Sequence, residues 1–439
     1  FEVNMRADAS SRFHKDHRWG YFPSFSAGWR MSEESFMKDI EWINNLKIRA
    51  SYGTLGNINN VGNYDYFQNY SSGNHYSFSD SPVIGIGESK PANETLGWEK
   101  VALTDIGLDF DIFNGLLGVT ADYYIKNTSD ILLGYNVPTE TGITAAPSQN
   151  IGKVKNTGFE LALNHRNKIG AVNYSIGANI ATNKNKITNL GGSDNIIQTS
   201  SYIVKYILKK GESIGSFYGF KTDGLYTQAD IDAGHYYTLS GVVPNAGDIK
   251  FVPQRDIEYK QEITDEDRTI LGKDVPDFTY GVNLSLQYKG FEFSMFGQGI
   301  SGTKVAFDVY GVHPFYHGQD SPRKYHLKRW TEENPNPHAA YPRIYSASSV
   351  HTTYNRNFSD YHLFDSDYFR FKTLSLGYTV PSATVKNWGL QSLKVYVTGE
   401  NLFTVRADKK MEDFDPETAG GVIYTLGTKS VAFGVNISF

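Results

Sequence analysis

Few residues in this sequence have the types and spacing that catalysis or metal binding requires. His14 and His17 are spaced like two ligands of a zinc site. Zinc also needs a third and a fourth ligand with supporting contacts, and the surrounding loop offers only Lys15, Asp16 and Arg18. Cysteine is absent, which removes thiolate metal sites and cysteine nucleophiles. Neither a G-x-S-x-G elbow nor a glycine-rich phosphate loop occurs. We predict no metal site, no cofactor, no catalytic residue and no enzymatic activity.

Asp105 and Asp109 could imitate the paired carboxylates of a glycosidase, which need a gap of roughly 5–10 Å. They lie in an alternating segment in which Ile106, Leu108 and Phe110 occupy the other parity. Carboxylates on the polar face of such a segment are also what the wall of a hydrated lumen carries. We favour the lumen wall.

Aromatic side chains are the remaining candidates for binding, since the sequence has 30 Tyr, 27 Phe and 6 Trp. Exposed rings in polar loops stack on sugar rings or bury against a partner protein. The alternative is that they pack the loops on themselves. The residues predicted to contact a substrate or a partner are Tyr64, Tyr66, Tyr70, Tyr76, Tyr310, Tyr316, Tyr325 and Trp330.

Alternation of apolar and polar residues with a period of two dominates the chain and indicates an all-β protein. Val172, Tyr174 and Ile176, for example, alternate with Asn173 and Ser175. Strands are predicted near 1–7, 21–30, 46–53, 98–112, 116–126, 152–166, 171–183, 278–288, 291–300, 368–380, 392–403 and 430–439. The link 184–277 could hide a further hairpin, so we expect about 12–14 strands.

Long and short links alternate between these strands, and this pattern is typical of a transmembrane antiparallel β-barrel. Lipid cannot satisfy backbone hydrogen bonds, so a spanning sheet must close on itself. Asn114-Gly115 marks one tight hairpin. No stretch reaches the ~18 apolar residues of a spanning helix, and a net charge of −5 argues against a nucleic-acid partner. A soluble propeller or a lectin-like sandwich is the alternative fold.

Two local features add detail. The apolar parity switches between Phe371 and Leu374, which a β-bulge or emergence of the strand above the membrane would explain. Both explanations stay open. Ser32 is placed as the N-cap of a short helix within 32–42.

Several motifs, in a fixed order along nearly the whole chain, make the sequence resemble the SusC-like TonB-dependent transporters. They are RWGYFPSFSAGWR (18–30), LKIRASYG (46–53), WEK (98–100), GLD (107–109), NTGFE (156–160), GESIGSFYG (211–219), GDIK (247–250), DR (267–268), RFKTLSLGY (370–378) and GENLF (399–403). Phe439 resembles the terminal aromatic residue that the barrel-insertion machinery of such proteins recognises.

The resemblance implies that residues 1–439 are the C-terminal part of one 22-stranded barrel domain in a bacterial outer membrane. The N-terminal extension, the TonB box, the plug and the first strands are then expected outside this chain. Expected partners are a SusD-like lid lipoprotein, the TonB complex through the missing N-terminal region, the plug and outer-membrane lipid. A dimer of transporter–lipoprotein pairs is also possible for such a protein.

The implied function is active import of oligosaccharides or oligopeptides, driven by TonB and the proton-motive force. A siderophore- or cobalamin-type receptor without a lid is one alternative, a passive porin is another, and a secreted carbohydrate-binding or glycan-cleaving β-protein is a third. Many relatives carry a calcium-like loop between GDIK and DR, but residues 251–266 lack the D-x-[DN]-x-[DN]-G spacing. We therefore predict no calcium, and a solvated turn at Asp265, Glu266 and Asp267.

Overall fold

The computed structural model describes the chain except residues 79, 135–147, 200–202, 308–311, 316–320 and 418–426, and except the side chains of 73, 74, 89 and 90. It is an all-β structure. The first strands are β1 (Glu2–Ala9), β2 (Trp19–Arg30), β3 (Ile43–Asn57), β4 (Asn69–Phe78), β5 (Ser81–Lys90), β6 (Glu99–Ile112), β7 (Leu117–Gly134), β8 (Ser148–Ile169), β9 (Val172–Thr182), β10 (Lys184–Leu190), β11 (Asn195–Thr199) and β12 (Lys205–Lys209). The others are β13 (Ser216–Gly219), β14 (Lys221–Leu225), β15 (Thr238–Leu239), β16 (Ile249–Val252), β17 (Glu262–Ile263), β18 (Thr269–Lys273), β19 (Phe278–Tyr288), β20 (Phe291–Ser301), β21 (Lys304–Ala306), β22 (Leu363–Asp365), β23 (Tyr368–Thr379), β24 (Ser392–Arg406) and β25 (Ser430–Ser438).

Helices are short in the described part of the chain. The α-helices are α1 (Gln228–Asp232), α2 (Val350–Asn355) and α3 (Ser382–Lys386). The 3-10 helices are Met31–Glu33, Asp265–Asp267, Lys324–Lys328, Asp360–His362 and Lys409–Asp413. No helix among the described residues has both the length and the apolar character needed to cross a membrane.

The chain divides into two compact units. Unit 1 contains 1–161, 183–195 and 209–212, and unit 2 contains 162–182, 196–208 and 213–439. In unit 1, β1, β2, β3, β6, β7 and the first part of β8 follow one another as neighbouring strands, and β10 pairs with that part of β8. In unit 2, the end of β8 is followed by β9, β19, β20, β23, β24 and β25. The predicted strands are therefore all present, most within a few residues of their expected bounds, although β7 ends at Gly134 and not near 126.

One face of the sheet in unit 2 is apolar from strand to strand, because the register places like residues opposite one another. One such row, in order across the strands, is Tyr174, Leu286, Phe293, Leu376, Val397 and Phe433. Leu376 and Phe433 are 50% and 84% exposed. Apolar residues that are so exposed along one face of a sheet indicate that this face contacts lipid rather than water.

The opposite face of the same sheet is polar. The adjacent row contains Ser175, Ser285, Ser294, Ser375 and Thr398, each opposite the next. Ser375 Oγ lies 3.0 Å from Thr398 Oγ1, which joins β23 to β24. A polar row beside an apolar row is the alternation of a wall with lipid on one side and water on the other.

A β-bulge at Lys372 explains the parity switch in β23. Phe371 lies opposite Gly297 and Thr373 lies opposite Phe296, so Lys372 is the extra residue of β23 against β20. The register with β24 shifts at the same place. Because Lys372 is extra, Phe371 before the bulge and Leu374 after it both lie on the apolar face of the sheet. The bulge is therefore the correct one of the two explanations.

Link lengths contrast strongly in unit 2. The links after β8, β19 and β23 are 170–171, 289–290 and 380–391, whereas those after β9, β20 and β24 are 183–277, 302–367 and 407–429. Lys289 and Gly290 both have positive φ, as a two-residue hairpin turn requires. In unit 1 the link 113–116 contrasts with 58–98, but 10–18 and 31–42 are similar in length.

Of two further local predictions, one is wrong and the other is found in a different sheet. The chain forms a 3-10 helix at Met31–Glu33 and then a series of tight turns, so the predicted helix in 32–42 is wrong. The possible hairpin in 184–277 exists as β12 paired with β13, but these strands belong to a separate four-stranded sheet with β11 and β18.

Candidate functional site

The polar face of unit 1 carries a cross-strand ion network. Arg49 on β3 contacts Asp109 on β6 at 2.8 Å and Asp122 on β7 at 2.9 Å. Gly107 stands between them, and a Cβ there would lie 2.1 Å from Asp122 Oδ1 and 2.7 Å from the guanidinium, so the network needs glycine. Because Asp109 is held by Arg49, Asp105 and Asp109 do not form the pair of carboxylates that a glycosidase presents to a sugar.

A second ion network lies on the polar side of β23 in unit 2. Arg370 is 5% exposed, and its guanidinium contacts Asp415 at 2.6 Å and Glu417 at 2.9 Å. Lys372, the bulged residue, contacts Glu417 at 2.8 Å. The network attaches the segment after β24 to the inner side of the strand. A buried arginine needs such partners, because an unpaired buried charge is very costly.

Most of the long links of unit 2 fold into a packed body, which we call the loop body (the described residues of 203–208, 213–277, 302–367 and 407–417). Three apolar clusters fill it, around Phe251 and Tyr354, around Phe307 and Phe414, and around Phe217. The loop body therefore has a packed core of its own, in which many of its aromatic residues are buried.

The structure separates the predicted aromatic residues by burial. Tyr325 and Trp330 are buried in two clusters of the loop body, and Tyr66 is buried against Phe13 in unit 1, so the structure gives these three a packing role. Tyr64, Tyr70 and Tyr76 are 65–67% exposed. Tyr310 and Tyr316 lie outside the described residues.

Tyr70 and Tyr76 project from the β4–β5 hairpin. It forms a two-stranded sheet among the described residues, and Tyr76 lies opposite Val83. Ile84 and Ile86 are 66% and 75% exposed on the same hairpin. A single hairpin cannot bury its own apolar residues, so this element offers an apolar surface for a partner. Phe439, which directly follows β25, is 82% exposed.

The structure corrects the sequence interpretation of Asp267. It was predicted to lie in a solvated turn, yet it is 0% exposed. Its carboxylate accepts hydrogen bonds from the backbone N–H groups of Gln254, Arg255 and Thr264 and from the Arg255 guanidinium at 2.7 Å. Burial opposes its ionisation, but these donors outweigh burial and hold the pKa of Asp267 at about 2.

A second buried carboxylate organises the neighbouring part of the loop body. Asp248 is 0% exposed and accepts hydrogen bonds from Asn245 N at 2.7 Å and from Asn355 Nδ2 at 2.9 Å. His351 Nδ1 lies 2.8 Å from the same carboxylate. Asp248 thereby joins β16 and its preceding turn to α2.

Three histidines are buried in the loop body, namely His313, His326 and His362. Burial lowers the pKa of His326, lowers that of His313 well below its usual value, and lowers that of His362 to about 4. His362 is held between Ser359 Oγ and the Asn355 carbonyl, both at 3.0 Å. These histidines are therefore neutral at pH 7 in the folded body.

The candidate zinc pair gains no further ligands. His14 Nδ1 lies 3.3 Å from Asp16, and its ring packs against Tyr66. Across the described residues, no group of three His, Asp or Glu side chains is arranged to hold a metal ion.

Comparisons with known proteins agree with the arrangement of faces and links. Residues 1–402 match the family described as TonB dependent receptor-like, beta-barrel. The chain is 32% identical over 410 residues to TonB-dependent receptor P3 of Formosa agariphila, covering 92% of this chain and 39% of that protein. It is 28% identical to the TonB-dependent receptor SusC of Bacteroides thetaiotaomicron, covering 100% of this chain and 42% of SusC.

Among solved structures, that of the RagAB peptide transporter has a TM-score of 0.77 at 24% identity, covering 100% of this chain and 45% of that chain. At this identity the likeness establishes the fold. The chain spans about four-tenths of the length of the curated relatives it matches.

The fold and its two faces therefore define an outer-membrane β-barrel. The chain belongs to the TonB-dependent receptor β-barrel family, and it is similar to SusC.

Sequence reasoning missed the Arg370 network and the Asp248 and Asp267 carboxylates. Arg370 and Asp267 both stood inside quoted motifs, RFKTLSLGY and DR, but their partners Asp415 and Arg255 are 45 and 12 residues away. A sequence pattern carries no signal for such pairing, and only the fold brings these groups together.

Replacing Leu374 with arginine should reduce assembly of the full-length transporter. Leu374 lies on the apolar face opposite Met295, and an arginine facing the middle of a bilayer costs about 2–4 kcal/mol. The measurement is the amount of heat-modifiable, folded protein in the outer membrane. Ser375→Arg is the matched control, because Ser375 is the next residue and lies on the polar face. Equal losses in the two variants would contradict the assignment of faces.

Proposed function

We propose that this chain forms the C-terminal barrel wall of a TonB-driven importer of large nutrients, either oligosaccharides or oligopeptides. The observation that carries the proposal is the sheet with one apolar and one polar face, whose long links fold into a packed loop body. The polar face would line the passage and surround the plug. Family membership supports TonB-dependent transport and disfavours the secreted glycan-cleaving alternative.

A SusD-like surface lipoprotein is the proposed partner, and the β4–β5 hairpin is its proposed contact. The support is similarity to SusC together with a hairpin on which Tyr76, Ile84 and Ile86 are 66–75% exposed. Tyr64, Tyr70 and Tyr76 remain candidates for contact with the lid or the substrate. The RagAB structure is described as a peptide transporter, which favours peptides slightly over glycans as the substrate class here.

The test uses the full-length transporter in its own bacterium, with an affinity tag on the transporter. A lipoprotein should co-purify with it, and nutrient uptake should stop when TonB is removed. A lidless siderophore receptor would purify alone. Identification of the molecules that co-purify with the intact complex would then separate glycans from peptides. Uptake that persists without TonB would identify a passive porin and refute the proposal.

Tyr70→Ser combined with Tyr76→Ser should weaken retention of the lipoprotein about tenfold or more, because exposed aromatic residues at interfaces each contribute about 1–2 kcal/mol. Retention is measured by quantitative mass spectrometry of the purified complex. Tyr259→Ser is the control, since Tyr259 is 51% exposed in the loop body and outside the predicted set. Unchanged retention in the double variant would remove the hairpin as the lid contact without affecting the transport proposal.

A further inference from the structure

Unit 1 has a cleft of about 550 Å³ where β2 and β6 reach the long links. Trp19 and Tyr21 of β2 line one side of it. Trp98, Lys100 and Asp130 line the other. A volume of this size accommodates one or two sugar rings or a lipid headgroup.

The cleft arises because β2 and β3 separate at this end. Their pairing ends at Ser24 opposite Gly53, although β2 begins at Trp19 and β3 continues to Asn57. Pro23 precedes the last pair and has no N–H to donate, which ends the ladder. Phe22 and Trp98 fill the space between the separated strands, with their rings edge to face and 5.5 Å apart. The separation of β2 and β3 therefore leaves a recess at this end of the sheet.

The register places the cleft on the apolar face. Phe25 lies opposite Tyr52, and Tyr52 lies opposite Thr104, so these three residues share a face. Trp19 and Tyr21 have the parity of Phe25 on β2, whose register with β1 is unbroken up to Ala9 opposite Trp19, so they share that face too. Trp19 and Tyr21 are 60% and 61% exposed.

The chemistry of the lining favours a sugar over a phosphate. Lys100 is the only lysine among the described lining residues, and its Nζ lies 3.9 Å from Asp130, so a phosphate would meet a lysine that is already paired. Asp16, Thr95 and Asp130 instead offer oxygen atoms for hydroxyl groups. Trp19 and Tyr21 offer exposed ring faces, on which the C–H faces of sugars stack.

The rim of the cleft is held in place by the chain itself. Asn150 donates hydrogen bonds to the Gly97 and Asp130 carbonyls and accepts one from Gly97 N. Trp98 Nε1 donates to the Arg18 carbonyl at 3.0 Å. The site is thus organised before a ligand arrives, which lowers the entropic cost of binding.

We propose that this cleft binds the sugar headgroup of a membrane glycolipid. The lipid, rather than a free saccharide, follows from the position of the cleft on the apolar face, where the acyl chains would lie along Phe25 and Tyr52 towards the middle of the strands. This site is separate from the passage, because it opens on the opposite face from the Arg49 network. The inference depends on the outer-membrane location and is independent of the transported substrate.

The test compares lipids bound to the full-length transporter after purification in mild detergent. Trp19→Leu combined with Tyr21→Leu keeps an apolar rim but removes both ring faces. Sugar-headed lipid from the outer membrane, quantified by native mass spectrometry, should fall about tenfold relative to wild type, the value expected for loss of roughly 1.4 kcal/mol of stacking. Trp29→Leu is the control, because Trp29 lies on the same face at the other end of β2.

Three results would overturn the proposal. One is unchanged glycolipid in the double variant, and another is equal loss in Trp29→Leu. The third is selective retention of phosphatidylethanolamine, or of free oligosaccharide, in place of the glycolipid.

If heat modifiability shows that the double variant does not fold, Asp130→Asn is measured instead. It should lower glycolipid retention several-fold, and unchanged retention there would equally refute the site.

Discussion

Asp267→Asn should open the loop body locally, with a cost of about 3 kcal/mol, because a fully buried carboxylate that accepts several N–H hydrogen bonds loses its charge. The asparagine keeps the shape of the side chain but loses the charge that binds the Arg255 guanidinium at 2.7 Å. The NH₂ group of the asparagine is itself a donor, and it would face the backbone N–H groups that donate to the carboxylate in the wild-type protein. Residues 253–267 should then exchange amide hydrogens at least a hundredfold faster in the full-length transporter.

Glu266→Gln is the matched control for this experiment. Glu266 belongs to the same 3-10 helix and lies 3.4 Å from Arg255, but its side chain is 76% exposed. An exposed ion pair contributes about 0–1 kcal/mol, so its loss should hardly change exchange. Equal protection in Asp267→Asn and wild type would show that the carboxylate does not hold this segment.

The strands and their faces could be predicted from the sequence because both depend on local pattern. Val172, Tyr174 and Ile176 alternate with polar residues over the length of β9, and a strand with one lipid face must alternate in this way. The parity switch between Phe371 and Leu374 was visible for the same reason, although only the register with β20 identified Lys372 as the bulge.

The loop body could not be predicted in the same way, since its strands are short and its contacts are distant in sequence. β16 pairs with β14, and its residue Ile249 donates to Asn355, 106 residues further on. The same limitation affected the aromatic residues. Tyr325 and Trp330 occur in polar surroundings, as an exposed residue would, and only the folded body shows that their rings are buried.

The predicted helix at 32–42 failed for a different reason. Ser32 and Glu33 supply a helix start, but the segment connects two strands that pair closely, with Arg30 opposite Lys47. The pairing of the flanking strands fixes where this link begins and ends, and the backbone forms successive turns from Glu34 to Ile43 instead of a regular helix. Tertiary constraint therefore overrode a correct local signal.

Acidification should destabilise the loop body while leaving the barrel strands intact. A histidine whose pKa is lowered by folding binds a proton more readily when unfolded, so stability is complete above pH 6.5 and falls as the pH drops towards the folded pKa. With a folded pKa of about 4, His362 alone accounts for a loss of about 2 kcal/mol at pH 5. His313 and His326 act in the same direction, because burial also lowers their pKa values.

The measurement is hydrogen exchange of residues 350–366 in the full-length transporter at pH 7.5 and pH 5, corrected for the intrinsic pH dependence of exchange. The opening constant should rise about 30-fold or more on acidification, as 2 kcal/mol implies. His362→Gln should make that rise about 30-fold smaller, since glutamine does not titrate, and the remaining rise would come from His313 and His326. His338→Gln should retain the full rise, because His338 is exposed in the same loop body.

An opening constant that does not change between the two pH values would show that the buried histidines are not held neutral. A rise of equal size in His362→Gln and wild type would assign the pH response to other groups.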